Sequence, residues 1–174
     1  MRKASVLILA SVILLSTTAS SQTRRRPARR GAPASKAATE KTSAEVLEAR
    51  GRVAAQIKTL SQFLYLYGGI AKGIESADQA SRSGEASQVA SQQNERTKAR
   101  VKESIRNVRD GLDKLEADIR FGSAAVKNYY PHISGVARTA EMAESQAAAN
   151  RFDEAGRSLL KAVNQLADAL SAMR

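Results

Sequence analysis

Nine positions between residues 101 and 129 dominate what this chain can fold into. Val101, Ile105, Val108, Leu112, Leu115, Ile119, Gly122, Val126 and Tyr129 recur at alternating steps of four and three, with one glycine in place of an apolar residue. That spacing keeps side chains on one narrow stripe of an α-helix. So narrow a stripe is buried only against another helix, and residues 42–83 supply one. Thr42-Ser43-Ala44-Glu45 reads as a capping box, and Val46, Arg50, Val53, Ile57, Leu60, Leu64, Tyr67, Ala71 and Ile74 follow at the same spacing. The polar cluster Ser81-Arg82-Ser83-Gly84 suits the turn between the two helices. Between that turn and Val101 the second stripe reads Ser91, Asn94 and Lys98, so residues 72–96 are expected to form a polar, weakly held hairpin tip.

A shorter pair follows. Tyr129-Tyr130-Pro131 is expected to end the second helix, because proline disfavours helical geometry in the residue before it. A third helix to about Ala149 carries Val136, Ala140, Ala143 and Ala147 on one face, and Asn150 is read as the cap of a fourth. The fourth helix has the seam Phe152, Ala155, Leu159, Val163 or Ala162, Leu166, Leu170 and Met173. The expected fold is therefore all-α: a long antiparallel, coiled-coil-like hairpin packed by a shorter helical hairpin in an irregular four-helix bundle. The 32 alanines against 3 prolines agree with it.

Two likenesses sit on these helices. Glu75-Ser76 with Ala80, Arg82, Glu85 and Ala86 is echoed by Glu144-Ser145 with Ala149, Arg151, Glu154 and Ala155. The second hairpin also resembles a single tetratricopeptide repeat, with Ala143 at the small position of its first helix and Phe152, Ala155, Leu159 and Ala162 after the turn. Thr139 and Gln146 stand where that family has Trp and Tyr, and Ala167 where its closing Pro belongs. One repeat makes no solenoid, so the resemblance implies only a tight helix–turn–helix.

Ahead of the bundle, Arg2 and Lys3, the apolar run from Val6 to Leu15 and the small residues Thr17 to Ser21 read as a signal peptide over residues 1–21, cut before Gln22. Residues 22–41 contain no apolar side chain larger than Ala and are expected to be a disordered basic linker. Arg24, Arg25, Arg26, Arg29 and Arg30 are its candidate polyanion-binding residues, with an anionic surface as a possible ligand. The bundle domain is assigned to residues 42–174. An exported protein, periplasmic or secreted, follows; the alternative is a form tethered by an uncleaved N-terminal segment, because the arginine run behind the apolar stretch opposes translocation.

The net charge of +11 is concentrated in that arm, so a uniformly basic nucleic-acid-binding surface is not expected. The absence of Cys rules out disulfides, thiolate catalysis and Cys-based zinc sites. His132, the one imidazole, has no orienting carboxylate or nucleophile near it in sequence. Asp110, Asp113, Glu116 and Asp118 are matched at three or four residues by Arg106, Arg109, Lys114 and Arg120, which reads as intrahelical ion pairs rather than a metal site. The basic start of the second helix resembles a basic-zipper DNA reader, but Ala99 and Lys102 stand in place of the expected pair, and specific nucleic-acid binding is not expected. No catalytic, cofactor or metal residue is assigned and no enzyme is expected.

Residues 63–70 are apolar on every side of a helix, and Phe63, Tyr65, Leu66 and Tyr67 are the candidate interaction residues for a protein partner or self-association. The functional expectation is a non-enzymatic interaction or scaffolding protein of the cell envelope. Two alternatives stand beside it: a chaperone-like helical clamp for unfolded envelope proteins, and polyanion or membrane-surface binding through the basic arm. Mass spectrometry of the exported fraction is expected to find a mature form starting at Gln22; an intact Met1 terminus in the membrane pellet would instead show the tethered form.

Overall fold

A computed structural model describes residues 33–173, which form six helices and no strand among them: α1 (Pro33–Arg82), α2 (Gln88–Arg120), α3 (Ala124–Lys127), α4 (Tyr130–Ile133), α5 (Val136–Ala148) and α6 (Phe152–Ala172). The stretch expected to be a signal peptide, residues 1–21, and the arginines of the arm lie outside the described residues. α1 packs on α2 and α6, and α5 on the same two, so the four long helices close into an antiparallel ring. The expected all-α bundle is the observed one.

Its core is the pair of stripes read from the sequence. Val101, Ile105, Val108, Leu112, Leu115 and Ile119 of α2 are all buried, as are Val53, Leu60, Tyr67 and Ile74 of α1. Ala49 is buried at the seam level expected for Arg50, and Arg50 is exposed. α5 offers Ala140, Ala143 and Ala147, all fully buried, which lets it sit close to α6, where Leu159, Ala162 and Leu166 are equally closed off. Val163 is only partly buried, so Ala162 holds the alternative seam position.

Several boundaries differ from expectation. α1 starts at Pro33, so the last residues of the assigned linker, 33–41, are helical and Thr42 lies inside the helix. The reason is propagation: an early proline is compatible with a first helical turn, and the Ala, Lys and Glu that follow extend a helix already nucleated by its packed part. α2 stops at Arg120 rather than near Tyr129. There the Phe121 N–H bonds to the Ala117 carbonyl, and a Cβ on Gly122 would come within 2.9 Å of the Asp118 oxygen. The glycine read as a substitution in the seam is thus where the chain turns, and the short helices α3 and α4 carry Val126 and Ile133 back into the core.

Asn150 does not cap α6. Its φ of 59° is left-handed, and it closes α5 in a Schellman motif, with Arg151 N–H bonded to the Gln146 carbonyl and Asn150 N–H to that of Ala147. Gly84, at φ 79°, does the same for α1: Glu85 N–H meets the Ala80 carbonyl and Gly84 N–H that of Ser81. The sequence echo does not align these two turns, since Gly84 falls opposite Asp153 in that matching.

The turn between α5 and α6 lies level with Lys102, whose ammonium reaches the Ala148 carbonyl at 3.4 Å, and with Tyr67. Beyond that level α1 and α2 continue alone for about 20 Å, at 1.5 Å per residue. This tip is closed by polar groups. Asp78 accepts from Asn94 Nδ2 at 2.7 Å and pairs with the buried Lys98 at 2.6 Å, Glu95 takes a second Lys98 bond at 2.8 Å, and Ser81 meets Ser91 at 3.2 Å. Desolvation pulls the Lys98 pKa down, but the bonds to Asp78 and Glu95 outweigh it and hold the group above its usual value.

Ile105→Ala, in the fully buried part of α2, is expected to cost about 2–5 kcal/mol in chemical denaturation. Native-state hydrogen exchange is expected to show lower protection for residues 72–98 than for 105–119, because two helices bury less than four. Equal protection in both stretches would show that the tip is not a separate unit of stability.

Candidate interaction surface

The stretch from Leu60 to Ile74 explains how α1 divides its apolar residues. Leu60, Tyr67 and Ile74 are buried, and Leu64 and Ala71 are partly buried against the core. Of the four residues singled out by sequence, Tyr67 therefore belongs to the core and is not available to a partner. Its hydroxyl donates to the Phe152 carbonyl at 2.5 Å, and its ring edge lies where a Cβ on Gly156 would come within 2.9 Å. Glycine at 156 is what lets α6 approach this ring. Phe63 is drawn inward too, half-buried with its ring tilted against Tyr67 at a centroid distance of 5.4 Å.

The other two residues point out. Tyr65 is 86% exposed and Leu66 63%, and both line a shallow depression with Ser61 and Gln62. Ile70, one turn beyond Leu66, is 41% exposed and extends the stripe. Sequence reasoning missed Ile70 as a site residue, although its place four residues after Leu66 puts it on the same side of the helix. α1 runs unbroken through Gly68, Gly69 and Gly73, and beyond the helix's own backbone nothing among the described residues lies within 4 Å of a Cβ built on any of them. No packing within the described residues accounts for these three glycines.

Of the ion pairs expected within the acidic run of α2, Asp110 meets Arg109 at 3.1 Å, but as a sequence neighbour and not three or four residues away, and Glu116 has a different use. Glu116 reaches across to α5, where its two carboxylate oxygens accept from the backbone N–H groups of Gly135 and Ala137 at 3.1 Å each. Gly135 has no side chain with which to cap the helix, so a carboxylate from the neighbouring helix satisfies those donors. In return Glu144 of α5 accepts from Arg106 Nε at 2.9 Å and Arg109 Nε at 3.0 Å. The arginines pair between helices because Glu144 sits in the groove they border. The Arg106 bond leads in holding the Glu144 carboxyl below the usual range, with Arg109 adding to it against the effect of burial.

His132 is exposed in α4. Among the described residues no group of His, Asp and Glu is arranged to hold a metal ion, and no helix is long and apolar enough to cross a membrane.

Burial raises the Tyr67 pKa to about 12, with the Asp153 charge adding to the effect. A raised pKa means that the contribution of Tyr67 to stability is complete below about 10 and is lost as the pH climbs through 12. Alkaline spectrophotometric titration is expected to show a late phenolic component that Tyr67→Phe removes. For Glu144 the sign is opposite: its contribution is complete above the ordinary carboxylate range and is lost as pH falls through the lowered value, so Glu144→Gln is expected to flatten the acid limb of the stability profile.

No known family model matches the chain, and neither does any curated protein or solved structure, so its function rests on the geometry of its own residues.

Proposed function

We propose that this chain is an exported, non-enzymatic interaction or scaffolding protein of the cell envelope, which receives a protein partner or a second copy of itself on the outer face of α1. The observation that carries this reading is the exposure of Tyr65, Leu66 and Ile70 side by side on a helix whose opposite face is already the core. Scattered exposed apolar residues are ordinary on a protein surface; a contiguous group on one rigid helix is the form that helix recognition takes. The open glycines beside it leave room for a second backbone to approach.

The chaperone-like clamp is the second reading, and its support is the α1–α2 tip, which projects past the α5–α6 turn with a polar seam. The two differ in stoichiometry, since a scaffold holds a defined partner whereas a clamp holds many unfolded chains weakly. Leu66→Glu is expected to leave helicity and melting unchanged, as an exposed position should. Affinity capture from an envelope extract, with sedimentation of the purified protein, is expected to show a discrete partner or self-association lost in that variant. Retention of every partner by a folded Leu66→Glu protein would remove this face from consideration. Capture of a broad set of unfolded proteins would favour the clamp.

A further inference from the structure

The segment joining α2 to α5 carries cations without acidic side chains, as residues 49–74 of α1 also do. Between Asp118 and Glu141 it contains no acidic side chain, while Arg120, Lys127, His132 and Arg138 punctuate it. It also holds Phe121, Tyr129 and Tyr130, three of the seven aromatic residues in the chain.

Arg120 organises this end of the molecule. Its guanidinium carbon lies 5.2 Å from the centroid of Phe121 and 5.8 Å from that of Tyr130, within cation–π distance of both. Arg106, Arg109, Arg151 and Arg157 each pair with a carboxylate; Arg120 pairs with none among the described residues. The two rings hold the charge at this corner, and with no carboxylate on it among the described residues the guanidinium is open to a phosphate. Phe121 itself is 77% exposed, more than Leu66, and Lys127, Pro131 and His132 are exposed with it. This is a built corner: the helix cap at Phe121 and the closeness of Gly122 to the Asp118 carbonyl set where the ring stands.

An exposed aromatic ring beside a cation without a counter-charge, with a further exposed cation, Lys127, in the same acid-free segment, is the combination that a bilayer interface rewards, the ring lying at the headgroup boundary and the cations meeting phosphates. Single-stranded nucleic acid shares the phosphates, but its binding relies on several open rings for successive bases. Here only Phe121 is fully open, Tyr129 and Tyr130 being partly buried against the core. We propose that this end of the bundle docks on an anionic lipid bilayer, with Phe121 entering the interface and Arg120 and Lys127 binding headgroup phosphates. The contact is separate from the outer face of α1 and stands whether or not a protein partner binds there.

The chain contains no Trp, so Phe121→Trp installs a single indole at the contact and reads it whatever the rest of the chain does. The probe is phosphatidylcholine vesicles with and without a quarter of phosphatidylglycerol, added to the full chain. A blue shift of the indole and its quenching by brominated acyl chains are expected on the anionic vesicles and not on the neutral ones. Arg120→Ala in the same background is expected to weaken partitioning about fivefold, the effect of one cation near an anionic surface, whereas Arg120→Lys keeps most of it. An indole whose spectrum stays unchanged while the protein sediments with anionic vesicles would overturn the proposal, as would equal response to neutral vesicles. So would a response to inorganic phosphate at matched ionic strength or to single-stranded nucleic acid in place of the anionic vesicles. Should Phe121→Trp lose helicity, Ser123→Trp, at a neighbouring exposed position, carries the same readout.

Discussion

The bundle depends on one mismatch: α1 and α2 run on past the length that α5 and α6 can cover. α2 carries one stripe, which must be closed on both flanks, by α1 and by α5, where four helices meet. Below the α5–α6 turn that stripe is Val, Ile and Leu; above it, where only α1 remains, the stripe becomes Lys98 and Asn94. The change of side-chain chemistry along α2 follows the change in the number of helices around it. An apolar residue at 94 or 98 would sit in a two-helix seam beside water, and polar residues that bond to Asp78 close it without leaving a sticky tip.

Polar groups at the edges of the core choose among alignments that the apolar stripes would tolerate. A heptad seam fits its partner equally well after a shift of one heptad, so burial alone does not settle register. Glu116 under the start of α5, Glu144 between Arg106 and Arg109, and Thr139 with Gln165 each fit one alignment only. Exposed ion pairs of this kind contribute little net stability, and their effect here is to penalise the shifted arrangements, in which a half-buried carboxylate would lose its donors. Tyr67 does the same between α1 and α6, since its hydroxyl finds the Phe152 carbonyl and its ring the space over Gly156 at a single level.

Much of this was legible in the sequence. The stripes of α1, α2 and α6 were readable because burial on one face imposes a period on apolar residues, and the outward place of Leu66 followed from Leu64 and Tyr67 facing in. The end of α2 was not readable, because Val126 and Tyr129 keep the heptad phase after the helix has stopped; short helices α3 and α4 return them to the core by another route. The start of α1 escaped for the opposite reason: helix propagation along residues 33–41 needs no burial and leaves no periodic signal. Asn150 is ambiguous by chemistry, since the same side chain favours a helix start and a left-handed helix end. The partner of Glu116 is a pair of backbone N–H groups, which no side-chain pattern announces.

The middle of α1 runs against the economy of the rest. Glycine within a helix costs roughly 0.5–1 kcal/mol relative to alanine, and at Gly68, Gly69 and Gly73 nothing among the described residues stands in the way of a methyl group. Gly51, lower on α1, is equally open, whereas Gly84 and Gly135 adopt positive φ and Gly156 makes room for Tyr67. Three unexplained glycines fall within the same two turns as Tyr65, Leu66 and Ile70, which leave apolar surface in water at a further cost. Open glycines and exposed apolar side chains thus coincide on one stretch of α1, and that coincidence is what the proposed partner surface rests on. On that proposal the small residues would allow close backbone approach and the large ones would supply the area to be buried.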